Sequence, residues 1–113
     1  MSVTDAIRYL PLTPAVLQVL VALADEERHG YALLKAVEDQ SGGGVRLSTG
    51  TLYGIIRRLL DDGLISERTT RDGRRLYKLA AFGRQVARAE ADRLEALLGT
   101  ARATRALRRP ATS

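Results

Sequence analysis

The chain has 113 residues, 45% of them apolar, enough for one domain with a real core. It contains no cysteine, which excludes disulfides and thiolate metal sites, and no apolar run approaches the ~18 residues of a membrane span. The net charge of +5 is uneven: residues 1–47 sum to −2, residues 48–78 to +3, and residues 99–113 add four arginines without an acid, a distribution that suggests a polyanionic partner.

Thr13-Pro14 is a helix start, Thr as N-cap and Pro at the first helical position. The stretch Ala15–Ala24 that follows is apolar almost all round, so other elements must wrap it. After the polar break Asp25–Arg28, the spacing of Leu33, Leu34 and Val37 predicts a second helix over Tyr31–Gln40, ended by Ser41-Gly42-Gly43-Gly44. Val45-Arg46-Leu47 reads as a short strand. Ser48 then caps a third helix, Thr49–Asp62, whose core stripe is Leu52, Ile55, Ile56, Leu59 and Leu60, with Gly63 placed to end it.

Beyond Gly63 the period changes. Leu64–Thr70 and Arg74–Leu79 read as strands joined through Arg71-Asp72-Gly73, where Asp-Gly is a hairpin signal. Ala80 to about Leu107 is a long amphipathic helix with the stripe Phe82, Val86, Ala89, Leu94, Leu97, Leu98 and Ala101, and Gly99 as a point of interruption. Three helices followed by a hairpin is the order of a winged helix. The fold class is therefore mostly α with a small β-hairpin: a winged helix-turn-helix over residues 1–79, a long C-terminal helix over 80–109, and a frayed, disordered tail over 110–113.

The third helix carries the functional argument. Exposed glycines cost about 1 kcal/mol each against Ala in a helix interior, yet Gly50 and Gly54 lie one turn apart on its polar face, near the amino end. Small residues there let a helix sink towards a DNA backbone or groove floor, and the helix start offers free amides and a positive dipole to phosphate. Arg57, a turn further on, can reach a base edge or a phosphate. Ser48, Thr49 and Thr51 are phosphate donors, and Tyr53 can do the same with its hydroxyl while its ring packs on the domain. The hairpin adds Arg68, Arg71, Arg74 and Arg75 against Glu67 and Asp72, suited to clamping an adjacent groove or backbone, and Lys35 is a further phosphate contact from the second helix.

Several of these segments together resemble the PadR family of transcriptional regulators. They are Leu12-Thr13-Pro14, His29-Gly30-Tyr31-Ala32-Leu33, Leu47-Ser48-Thr49-Gly50-Thr51-Leu52-Tyr53, Arg57-Arg58-Leu59, Asp62-Gly63-Leu64-Ile65 and Asp72-Gly73-Arg74-Arg75-Leu76-Tyr77-Lys78-Leu79. The resemblance covers about residues 10–98 and is nearest to the smaller subfamily with one long final helix. It implies a homodimeric repressor of a pseudo-palindromic duplex DNA site, with DNA contacts from Ser48, Thr49, Gly50, Thr51 and Tyr53 and from the wing. It also implies dimerisation through the final helix against the partner's first helix, with Val16, Leu20, Phe82, Val86, Leu94, Leu97, Leu98 and Ala101 as interface residues. Where the family often has Pro, this chain has Thr49 and Gly54. The family's Leu-Thr-x-x-Gly after the wing is Leu79-Ala80-Ala81-Phe82-Gly83, which loses a Thr cap. Some members stack flat aromatic drugs on tryptophan at the dimer centre. This chain has none, which leaves at most a small apolar inducer.

Two other classes compete with this reading. Catalysis needs a nucleophile, base or metal constellation, whereas the single histidine, His29, sits beside Gly30 at a helix start and reads as packing or capping. No enzyme, metal or cofactor is expected. A winged-helix module for protein contacts remains the alternative; its third helix would expose apolar side chains rather than glycines and arginines. With no membrane span and no signal segment at the start, a cytoplasmic location is the expectation.

Overall fold

A computed structural model describes residues 3–110. The elements run α1 (Val3–Ile7), α2 (Pro14–Asp25), β1 (Arg28–His29), α3 (Gly30–Gln40), α4 (Thr49–Asp61), β2 (Ile65–Thr69), β3 (Arg75–Leu79) and α5 (Ala81–Ala103), followed by a 3-10 turn at Arg105–Leu107. Helix α3 packs against both α2 and α4, the hairpin β2–β3 lies against α2 and α4, and α5 packs on α1 and α2.

The capping chemistry works as its residues dictate. Thr13 Oγ1 accepts a hydrogen bond from the Val16 amide at 3.2 Å, and Pro14 opens α2. Ser48 Oγ accepts from the Thr51 amide at 3.1 Å to start α4. That helix stops at Gly63, whose φ of 75° lets the Leu64 amide turn back to the Leu59 carbonyl at 2.9 Å. Around α2 the core collects Val19, Leu20 and Leu23, then Leu33, Val37, Leu52, Ile56 and Leu59, and finally Tyr77, Leu79, Phe82 and Val86 from the hairpin and α5. The apolar circumference of α2 is thus explained: it is the central helix. Within Ala15–Ala24, Val21, at 46% exposure, and Ala24 are left out.

Four features depart from the sequence reading. The sheet has three strands in the order β1-β3-β2, because Arg28 pairs with Tyr77 and His29 with Leu76. Arg28 holds that strand in place, donating to the Ala22 carbonyl at 3.0 Å and pairing with Asp25 and Glu26. Val45-Arg46-Leu47 is not a strand. It finds no strand partner, and its backbone is tied instead by Ser41 Oγ accepting from the Val45 amide. A short α1 precedes the Thr13-Pro14 start, and Tyr9 just beyond it meets Phe82 edge-on at 5.6 Å. Helix α5 passes straight through Gly99 but ends at Ala103 rather than near Leu107. Of the expected tail, Pro110 is exposed coil, and residues 111–113 lie outside the described residues.

The start of α5 sits hard against the sheet. A Cβ on Gly83 would stand 1.9 Å from the Leu64 carbonyl oxygen, so only glycine allows that approach. Ala80, the N-cap, offers no side-chain bond, and its amide instead donates to the Leu64 carbonyl at 3.0 Å.

Candidate nucleic-acid interface

The exposed face of α4 presents Thr49, Gly50, Thr51, Tyr53, Gly54, Arg57 and Arg58. A Cβ on Gly50 or Gly54 would meet nothing within 4 Å, so no packing within the protomer explains either glycine. Ser48 and Thr51 are occupied with each other as well as with the cap, Ser48 Oγ donating to Thr51 Oγ1 at 2.9 Å. Their remaining acceptor and donor capacity faces outward.

Beside α4 lies an open cleft of about 470 Å³ lined by His29, Gly30, Tyr31, Tyr53, Arg74, Arg75 and Tyr77. Tyr53 forms one wall. Its hydroxyl lies only 2.2 Å from where a Gly30 Cβ would stand, so Gly30 is the seat of that ring. His29 faces the hairpin, its Nδ1 2.9 Å from the Arg75 carbonyl oxygen. Tyr31, 74% exposed, was not among the sequence-derived site residues. A tyrosine next to the His-Gly helix start was the available signal, but nothing in the sequence said that it would face the hairpin. Lys35 lies one turn after Tyr31 on the exposed side of α3, outside the cleft lining.

The wing arginines are unequal. Arg74 Nε pairs with Asp72 at 2.9 Å, Arg75 with Glu67 at 3.7 Å, and Arg68 with Glu27 across to the α2–β1 turn at 3.2 Å. Asp72 also accepts from the Thr70 hydroxyl and the Arg74 amide. These bonds, the Thr70 hydroxyl first and Arg74 next, lower its pKa to about 2, so the clamp on Arg74 stays charged further into acid than an ordinary aspartate would. Arg71 stands at the tip, and it, Arg57, Arg58 and Lys35 are in none of the ion pairs among the described residues.

The apolar stripe of α5 divides in two. Phe82 and Val86, with Leu20 of α2, are buried in the protomer's own core, which removes all three from the expected dimer interface. The periodicity of an amphipathic helix cannot tell an inner partner from an outer one. Leu94, Leu97 and Leu98 are exposed, Ala101 and Val16 half-buried. Among the described residues no group of His, Asp and Glu could hold a metal, and no helix is long and apolar enough to cross a membrane.

Comparison with known proteins places this arrangement. Residues 19–89 match the family described as "Transcriptional regulator PadR-like family". The chain belongs to that family. It is a PadR-like transcriptional regulator with the family's winged-helix fold, not an enzyme. It is 39% identical over 84 residues to the transcriptional regulator Rv3488 of Mycobacterium tuberculosis, covering 72% of this chain and 76% of that one. It is also 38% identical over 85 residues to an uncharacterized 37.1 kDa protein in transposon TN4556 of Streptomyces fradiae, 75% of this chain but only 24% of that protein. The chain thus spans about a quarter of the transposon protein's length. Among solved structures, Bacillus subtilis PadR in complex with operator DNA superposes with a TM-score of 0.62 at 25% identity, covering 74% of this chain and 48% of that one.

Proposed function

We propose that this PadR-like regulator binds duplex operator DNA as a homodimer and represses transcription by occupying promoter DNA. The observation that carries this reading is the face of α4, where Gly50 and Gly54 leave open space beside Arg57 and the Tyr31–Tyr53 cleft. A backbone phosphate fits that cleft between helix and wing, with Tyr31 and Tyr53 hydroxyls as donors, while the amino end of α4 enters the major groove. The similarity to a regulator solved with operator DNA supports the same assignment.

Two copies joined through Leu94, Leu97, Leu98 and Ala101 of α5 present two α4 helices to successive major grooves, about 34–36 Å apart. Arg71 reaches the flanking groove from the wing tip. Relief by a small apolar molecule belongs to the same reading, acting through the angle between the two halves.

The test is fluorescence anisotropy with a labelled duplex from the region upstream of the protein's own gene, at moderate salt and with excess unrelated competitor. Competitor-resistant binding that saturates at two chains per site is expected. Binding that vanishes into the competitor would leave charge-driven affinity alone. No binding even at low salt would overturn the reading in favour of a protein-contact module.

A further inference from the structure

Among the described residues one charged side chain is buried, and it plays no part in the DNA-facing surface. Glu90 of α5 is 1% exposed. Its carboxylate accepts from the Leu12 amide at 2.6 Å and from Arg93, through Nε at 2.5 Å and the second guanidinium nitrogen at 3.1 Å. Leu12 immediately precedes the N-cap of α2, so this one carboxylate ties α5 to the entrance of the central helix.

Stability does not account for a glutamate here. Burying a carboxylate is costly, and replacing a buried ion pair with apolar residues of similar volume is often neutral or stabilising. What the carboxylate adds is direction. Its bonds weaken steeply as their angles depart from linear, whereas an apolar contact tolerates sliding and tilting. Its position makes direction matter: Glu90 is the last buried residue of α5, and all ten residues from 91 to 100 are exposed.

We infer that Glu90 is the positioning residue that sets the angle at which α5 leaves the DNA-reading domain, and through it the separation of the two α4 helices in the dimer. This rests on the homodimer proposed above. The free part of α5, residues 91–103, is about 20 Å long at 1.5 Å per residue. A tilt of about 10° at Glu90 then moves its far end by roughly 3.5 Å, about the rise of one base pair when 10 pairs span 34–36 Å. An exit angle left to apolar contacts alone would blur the half-site spacing by that much.

The chain's lack of cysteine gives a clean test. Asp61→Cys, at the exposed end of α4, takes one spin label per protomer, and pulsed dipolar spectroscopy on the full-length protein reads the distance between labels. Wild-type Glu90 is expected to give one narrow distribution. Glu90→Met, in its folded form, is expected to broaden it by about 3 Å or more, and to bind operators with the spacer altered by one base pair nearly as well as the natural spacing. If Glu90→Met does not fold, Glu90→Leu carries the same test, since it likewise leaves the Leu12 amide without its acceptor. A distribution as narrow as wild type in a folded variant overturns the inference. A wild-type protein that sediments as a monomer overturns the homodimer reading and this inference with it.

Discussion

Replacing Gly54 with Ala should raise the stability of the protein and lower its affinity for DNA. Gly54 lies in the interior of α4, and an added Cβ meets nothing within 4 Å. The substitution therefore gains the helix-propensity difference, about 1 kcal/mol, with no steric cost to offset it. For a domain near 100 residues that corresponds to a rise of about 4 °C in Tm. The same methyl would stand on the face proposed to approach DNA. Pushing α4 off one charge-assisted phosphate contact costs about 1.5–3 kcal/mol, roughly 10- to 100-fold in Kd. Differential scanning calorimetry and operator anisotropy on the same preparation read the two effects, and Gly54→Leu should widen the gap between them. A variant that gains stability and keeps full operator affinity would remove Gly54 from the interface. A variant that loses stability would show that the glycine serves the fold.

Three further outcomes follow from the geometry. Leu97, half exposed on the unpartnered stretch of α5, changed to Glu should give a monomer by sedimentation with monomer stability within about 0.5 kcal/mol of wild type; a variant that stays dimeric would move the interface elsewhere. Arg71→Ala should reduce the slope of log K against log salt by about 0.9, one phosphate contact. Arg74→Ala should change it little, because Asp72 already neutralises Arg74; the reverse order would refute the ranking of the wing arginines. Glu90 is held below its ordinary pKa of 4.5, chiefly by the hydrogen bond from Arg93 and, after the opposing effect of burial, by the Leu12 amide. The unfolded chain therefore takes up that proton first as pH falls. The contribution is complete above about 4.5 and is lost as pH drops through the lowered folded value, so urea unfolding of Glu90→Gln should be flatter with pH over that acid range.

Where the elements lie was legible because capping, periodicity and turn chemistry are local. Thr13-Pro14, Ser48, Gly63 and Asp72-Gly73 each act within a few residues, and they mark α2, α4 and the hairpin within a residue or so. The glycines of α4 were legible for a related reason. They break a local rule in a helix that otherwise obeys it, which points outside the chain. Tyr31 broke no rule, and so went unread.

The sequence by itself determined the order of α2, α3, α4, the β2–β3 hairpin and α5, and the open face of α4, since caps, turns and helical periods act over a few neighbouring residues. The tertiary structure alone decided what rests on distant pairs. Arg28–His29 becomes a strand only because Tyr77 and Leu76 lie beside it. Phe82 and Val86 face inward because the protomer's own core takes them up, Phe82 against Tyr9. Glu90, an unremarkable acid on an amphipathic helix, becomes a buried tie because the Leu12 amide, 78 positions earlier in the chain, lies against it. Periodicity says which residues share a face, and only packing says what that face meets.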